Sequence, residues 1–492
     1  MSWLPRRHER AVALVLAALL VLFRSLPFAL FEQIQFDSDQ AIFGLMAKHL
    51  SEGRALPLFM YGQPYLLAVD SWLAAPWFAV APAGLATLSV SIVLVNVLTG
   101  LAIVAALERW GGLSPLAAVA ASLPYLLVPP PVSGDLVSTS GANVYPFLYV
   151  VLLWILRDRP FWFGSVLAIG FLQREFTAYG AAIIVGAELL VRPRFSRPVV
   201  RKWLLALIAC LAVREGILAL QPYADLMGPG TKGQLYRGFE GSQIGNLTAR
   251  VDLRSSELAP RFDAMLRVHL SRLMGVTSPD ELKRPRPAVA WIVLLLFAAA
   301  LIRIIVIVWG AARARAWPDL RRAAFGWYLL AVGCLAALVY AGARPVRLEY
   351  TRYGLLVLFV PVGLMAVTLA LDRRRWARRM VAAAVTLWAV VPVVDAWRLY
   401  RDYSAAPPAE LRILAEALDS RGVASGWAPY WTAYAVTFMT NERVIVASTD
   451  LARIDAYQSF ALSRGDSVLI SEQPCGSGER IARWYVCPRK QP

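Results

Sequence analysis

Runs of about twenty apolar residues recur along this chain, separated by clusters of arginine. A hydrocarbon layer about 30 Å thick needs one such run for each helix that crosses it, and barrel strands of roughly ten residues cannot use runs this long. The backbone of each run must bond within itself, so the chain is expected to be a mainly α, polytopic membrane protein. Of its 492 residues 58% are hydrophobic and 17% charged, and the mean hydropathy is +0.54, too apolar for a soluble globule of this length.

The net charge of +17 would point to nucleic acid in a soluble protein. Its distribution argues otherwise. Arg6, Arg7 and Arg10, then Arg157 and Arg159, then Arg192 to Lys202, Arg313 to Arg322 and Arg373 to Arg379 each border an apolar run. That is the pattern of basic residues retained on the cytoplasmic side of a membrane, and nucleic acid is not an expected partner. The first run follows a basic start and lacks a small-residue cleavage site, so it reads as an uncleaved anchor with a cytoplasmic amino terminus.

Apolar runs and basic borders together place eleven spans near 11–31, 85–107, 115–131, 143–157, 161–172, 176–191, 203–220, 287–309, 325–343, 353–371 and 379–397. Gln173-Arg174-Glu175 interrupts the fifth and sixth, and polar residues at that depth suit a broken helix facing a protein cavity. An odd number of spans leaves the carboxyl terminus outside. The expected organisation is a membrane module over 1–400, with external loops at 32–84 and 221–286, and an external α/β domain over 401–492. In the first loop, charged and aromatic residues alternate over 41–50 and 65–80, which suits helices lying along the interface. Cys475 and Cys487 fall in the external tail, where an oxidising compartment favours a disulfide, whereas Cys210 and Cys334 lie within spans.

Just beyond the first span stands Phe36-Asp37-Ser38-Asp39-Gln40. Carboxylates are costly in hydrocarbon and stable at its wet edge, where they can take a proton from an acceptor or hold a cation. Paired acids there could hold Mg2+ or Mn2+, and a divalent cation stays an open expectation. No Cys/His spacing for a metal occurs.

Asp37-Ser38-Asp39-Gln40-Ala41 with Gly44-Leu45-Met46-Ala47, then Tyr61-Gly62-Gln63-Pro64-Tyr65 leading to Asp70, Arg352-Tyr353 at a late helix, and Tyr430-Trp431-Thr432-Ala433-Tyr434 in the tail carry a family likeness. The chain resembles glycosyltransferases of the GT-C fold, in the group of protein O-mannosyltransferases and lipid A aminoarabinose transferases. The resemblance implies transfer of a sugar from a polyprenyl-phosphate donor to a lipid, glycan or protein acceptor of the cell envelope. It would take place at the periplasmic face of a bacterial inner membrane, with inversion by an aspartate base.

On that likeness Asp39 is the first candidate for the base and Asp37 the second, while Asp70, Gln63, Tyr65, Arg174, Glu175, Arg352 and Tyr353 are candidates for substrate binding. Each has a plainer reading. Asp39 could cap the helix that follows, Arg352 could snorkel, and Arg174 and Glu175 could form an internal ion pair. The chain also departs from its likeness. Gln63-Pro64 replaces the Glu-Lys-Pro-Pro loop of aminoarabinose transferases, and Asn143 stands where relatives can carry an acid, leaving Asp135 nearby. A transporter or flippase of a lipid-linked saccharide, or a non-catalytic envelope assembly protein, fits the same topology.

Overall fold

A computed structural model describes residues 6–139, 143–191, 196–221, 251–252, 254–277, 284–314, 320–343 and 350–488. Most of the 221–286 loop lies outside these. The helices are α1 (Arg6–Leu30), α2 (Ser38–Ser51), α3 (Val69–Phe78), α4 (Leu85–Trp110), α5 (Pro115–Leu126), α6 (Pro130–Val137), α7 (Tyr145–Leu156), α8 (Pro160–Gln173), α9 (Thr177–Val191), α10 (Arg197–Leu220), α11 (Ser255–Ala264), α12 (Pro287–Arg313), α13 (Ala324–Gly342), α14 (Phe359–Leu371), α15 (Arg375–Ser404), α16 (Glu410–Ser420), α17 (Tyr430–Met439) and α18 (Asp455–Ser463). Six of them, α1, α4, α10, α12, α13 and α15, are long and apolar enough to cross a bilayer, with α7, α8, α9 and α14 apolar but shorter. The protein is a polytopic, mainly α membrane protein, and each of the eleven apolar runs is helical over most of its length.

Two runs are not single helices. The run 115–131 stops at Leu126 and turns through 87° into α6. Pro129, Pro130 and Pro131 lack the amide hydrogens that would continue α5, and proline is tolerated in the first turn of α6. The run 353–371 begins with two short 3-10 turns, Thr351–Tyr353 and Leu355–Leu358, before α14 starts at Phe359. The interruption at Gln173 is a true break, since α8 ends there and α9 begins at Thr177.

Contacts gather the basic borders at one end of the bundle. Arg10 pairs with Glu108 at 3.2 Å, Arg157 lies 5.5 Å from the Trp110 ring, Lys202 reaches Asp158 at 3.6 Å, and the Gly112 backbone packs on the Arg322 carbonyl. The other end of α1 meets the carboxyl-terminal region, where Phe31 packs on Tyr400 and Tyr403. Within the bundle, several buried polar side chains are paired. Buried Arg24 of α1 donates to Asn96 of α4 at 2.9 Å and Ser133 of α6 at 3.2 Å. Two-bond Arg–Asp pairs join Arg303 to Asp372 and Arg286 to Asp395, each at 2.6 and 2.9 Å. Helices α13 and α14 approach closely through Gly333, where a Cβ would meet the Val360 amide at 2.7 Å.

In the first loop, α2 and α3 flank a hairpin of β1 (Phe59–Met60) and β2 (Gln63–Leu67). Tyr65 therefore lies in a strand, not in the interfacial helix expected over 65–80. Gly62, with φ of 69°, makes the turn that a helix would not allow. The tail folds as β3 (Ser425–Ala428), β4 (Ile445–Ser448), β5 (Val468–Ser471), β6 (Glu479–Ile481) and β7 (Trp484–Pro488) in the order β4-β3-β5-β7-β6. Strands β3, β4 and β5 are parallel, with α17 and α18 as crossovers, and β7 runs antiparallel to both β5 and β6. Cys475 and Cys487 are disulfide-bonded, with Cα atoms 6.1 Å apart.

This sheet domain docks on α2. Phe438 packs so tightly on Gly44 that a Cβ there would meet its ring at 2.5 Å. Beside it Glu442, on a left-handed turn with Asn441, accepts from Lys48 at 2.5 Å, Tyr457 at 2.7 Å and His49 at 3.1 Å, and pairs with Arg54. These partners hold the Glu442 carboxyl well below the ordinary glutamate value of 4.5, although burial opposes them. The sign follows: the network contributes fully above pH 4.5 and loses its contribution as the medium becomes strongly acidic. Glu442→Ala leaves Lys48, His49 and Arg54 without their shared acid, and is expected to cost about 3–5 kcal/mol of docking stability at neutral pH. Faster limited proteolysis of the 405–425 segment and a lower thermal midpoint are the readouts.

Candidate active site

Helix α2 starts at Ser38, and Asp37, not Asp39, is its cap: the Asp37 carboxylate accepts from the Gln40 amide at 2.9 Å. This frees Asp39, one residue into the helix, for another partner, and the Tyr430 hydroxyl donates to its Oδ1. Burial, and next the Asp39 charge, push the Asp37 carboxyl up to about 7, while the cap bond and Arg352 pull it down. Two neighbouring acids thus share a site in which one holds its proton to neutral pH.

Arg352 stands opposite Asp37 on the 3-10 turn before α14, with its guanidinium 4.9 Å from the Tyr350 ring and 5.3 Å from Tyr353. It also lies within electrostatic reach of Asp135. Arg272 shares that reach and donates to Thr351 at 3.1 Å, which ties it to the Arg352 turn. A small, partly open pocket lies here, lined by Asn143, Phe147, Phe176, Tyr179, Arg352 and Tyr353 among others. Asn143 holds the Asp135 carbonyl at 2.9 Å. The pocket wall is therefore apolar and aromatic with a cation at one side, which suits a ligand having a charged head and a greasy remainder.

The α8–α9 break supplies the third side. Asp70, at the start of α3, is fully buried, not solvated, and accepts from Gln173 at 3.4 Å. Tyr149 donates to the other side of Gln173 at 2.5 Å, so α3 and α7 together fix the last residue of α8. Burial pushes the Asp70 carboxyl up to about 7 against the pull of Tyr145, Gln173 and Arg174. The next residue, Arg174, lies among Glu175, Arg352, Tyr353 and Tyr65. The fold thus brings Asp37, Asp39, Asp70, Tyr65, Arg174, Glu175, Arg352 and Tyr353 to one region. Gln63 lies opposite Met60 on the hairpin.

Arg272, Gln173, Tyr145 and Tyr430 belong to the region and were not placed there from sequence. Arg272 lies within the long 221–286 loop and has no motif around it. Tyr430 stood in the tail motif that carries the family likeness. Tyr430 and Tyr434 are buried, while Trp431 is 58% exposed. Among the described residues no three His, Cys, Asp or Glu side chains gather as a metal site. A divalent cation would find Asp37, already a helix cap, and Asp39, already bonded to Tyr430, with no third acid, so the donor set does not fit one.

No family model matches the sequence, and no curated protein does. Solved structures do match. ArnT from Cupriavidus metallidurans bound to undecaprenyl phosphate superposes with a TM-score of 0.60 at 12% identity, over 97% of both chains. The same protein in the apo state gives 0.63 at the same identity and coverage. The chain therefore has the GT-C fold seen in ArnT, along nearly its whole length.

Proposed function

We propose that this protein is an integral membrane glycosyltransferase that moves a sugar from a polyprenyl-phosphate donor to a hydroxyl or amine of an envelope acceptor. The observation that carries the reading is the meeting of the Asp37–Asp39 pair with Arg352 beside an apolar, aromatic pocket. Such a site offers a base for the acceptor and a cation for the departing lipid phosphate on the two sides of one small space. The fold shared with a protein crystallised with undecaprenyl phosphate supports the choice of donor. The basic borders at the opposite end of the bundle support a cytoplasmic amino terminus, so the acids and the sheet domain face the periplasm of a bacterial inner membrane.

In this reading Asp39 accepts the acceptor's proton, and Asp37 tunes it. The acceptor oxygen or nitrogen attacks the anomeric carbon from the face opposite the phosphate, which gives inversion. The C–O bond to phosphate breaks with its electron pair on the phosphate, beside Arg352. Arg174 and Glu175 at the helix break, with Tyr65 and Tyr353, line the sugar side. Asp70 acts from behind, through Gln173. No metal is assigned a step.

Transfer of radiolabelled sugar from a panel of polyprenyl-phosphate donors to envelope acceptors tests the proposal. Asp39→Asn is expected to lower transfer about 100-fold or more with folding intact; undiminished transfer would remove Asp39 from the base role. Because Asp37 keeps its proton up to about 7, the pair gains its second negative charge only as pH rises through that value. The rate is expected to climb across this window, and Asp37→Asn to flatten the climb in a pH–rate profile. Arg352→Ala should weaken binding of undecaprenyl phosphate about ten- to a hundredfold, with Lys restoring only part, as read by titration of the purified protein.

A further inference from the structure

The motif Pro429-Tyr430-Trp431 begins α17, and the surroundings of Tyr430 fix it from every side. Its amide donates to Asp450 Oδ1 at 2.7 Å, and Ser448 braces the same oxygen at 2.9 Å. Its carbonyl accepts from Ser38 at 2.6 Å, and the Ser38 hydroxyl in turn accepts from the Ala435 amide at 3.3 Å. Its ring sits edge-on to Trp431 and Tyr434, with the Arg453 guanidinium 5.6 Å from the centroid, and Arg453 reaches back to the Gly62 carbonyl at 2.9 Å. The residue is 3% exposed, and its hydroxyl donates to Asp39 while Arg453 bonds the same phenol from the other side. Burial and the Asp39 charge hold the phenol far above its ordinary range, so it stays protonated and acts as a donor.

We propose that Tyr430 is a positioning residue supplied by the carboxyl-terminal sheet domain: it holds Asp39 Oδ1 in a fixed hydrogen bond and leaves Oδ2 to take the acceptor's proton. The inference rests on the glycosyltransferase reading and deepens it. The same helix that holds Asp39 by its side chain holds Ser38 by its backbone, so the orientation of the acid is set from outside the membrane bundle. During transfer the acceptor's proton passes to Asp39 Oδ2 as the acceptor bonds to the anomeric carbon and the phosphate leaves with its electrons. Tyr430 gives up no proton. Its bond favours the charged carboxylate before the reaction and limits the rotation of the acid throughout.

The groups that face Asp39 are Asp37 from its own helix start and Tyr430 and Arg453 from the sheet domain, with Arg352 across from Asp37. Removing the donor leaves this pair of acids less able to carry charge, so the acid limb of the pH–rate profile moves to higher pH. The test compares full-length wild type with Tyr430→Phe in the radiolabelled transfer assay, across a pH series and with donor concentration varied. The expected result is a kcat about tenfold lower, a donor KM within about twofold of wild type, and an acid limb displaced upward. As a second variant, 3-fluorotyrosine in place of Tyr430 keeps the shape and strengthens the donor, and should displace the limb downward. A Tyr430→Phe protein with wild-type kcat and profile overturns the inference. So does a loss of rate that follows a lowered thermal midpoint while the fluorinated protein keeps the wild-type profile. A wild type inactive with every donor overturns the glycosyltransferase reading and the inference with it, whereas an active wild type beside an indifferent pair of variants overturns the inference alone.

Discussion

Glu442 reaches from the sheet domain into a ring of Lys48, His49, Arg54 and Tyr457, and the seating of α2, which carries Asp37 and Asp39 at its start, depends on that contact. An isolated helix of the length of α2 is marginal in water, and its stability comes from the faces it buries. One face lies on Phe438 and its neighbours through Gly44, and the ion network closes the end. Once α2 is fixed, its first turn has one location, and Asp37 and Asp39 go with it. The charges of the network are costly to bury, but each is matched, and a matched buried cluster specifies one register of docking where apolar surface alone would permit several.

The membrane side of the site obeys a different rule. Hydrocarbon tolerates irregular backbone only where protein or a wet cavity covers it. The chain breaks helical pattern at the 87° bend between α5 and α6, at Gln173–Phe176, and at the 3-10 turns of Thr351–Leu358. These places carry Asp135, Arg174 and Arg352, and all three lie within electrostatic reach of one another through Arg352. The breaks are thus not scattered defects. Arg352 at one of them lines the pocket, Asp135 and Arg174 lie within its electrostatic reach, and the intact helices around them, such as α10 and α12, keep apolar faces outward.

Much of the architecture was legible in the sequence because two of its signals are strong. Long apolar runs leave the backbone no alternative to helix, and the Arg clusters mark their borders. The break at Gln173 was readable for the same reason, since three polar residues cannot lie unaccommodated within hydrocarbon. The alternative reading of Asp39 as a helix cap does not hold: the helix begins at Ser38, Asp37 caps it, and Asp39 bonds to Tyr430. The hairpin at Tyr65 was hidden because a strand of five residues has too short a pattern to compete with an aromatic–apolar stretch that also suits a helix. Tyr430 and Arg272 were missed as members of the site for a common reason. Both enter it through contacts between residues far apart in sequence, 79 positions for Arg272 with Thr351 and 391 for Tyr430 with Asp39, and no local pattern encodes such a meeting.

The acids of the first loop and the helix that steadies them stand at opposite ends of the chain: Asp39 bonds to a residue 391 positions later. A ribosome makes α2 early and α17 nearly last. Between those events the whole bundle is threaded into the bilayer, and the half-built protein carries its carboxylates without their brace. Folding of the sheet domain therefore follows synthesis of α2, and until it docks Asp39 lacks the bond from Tyr430.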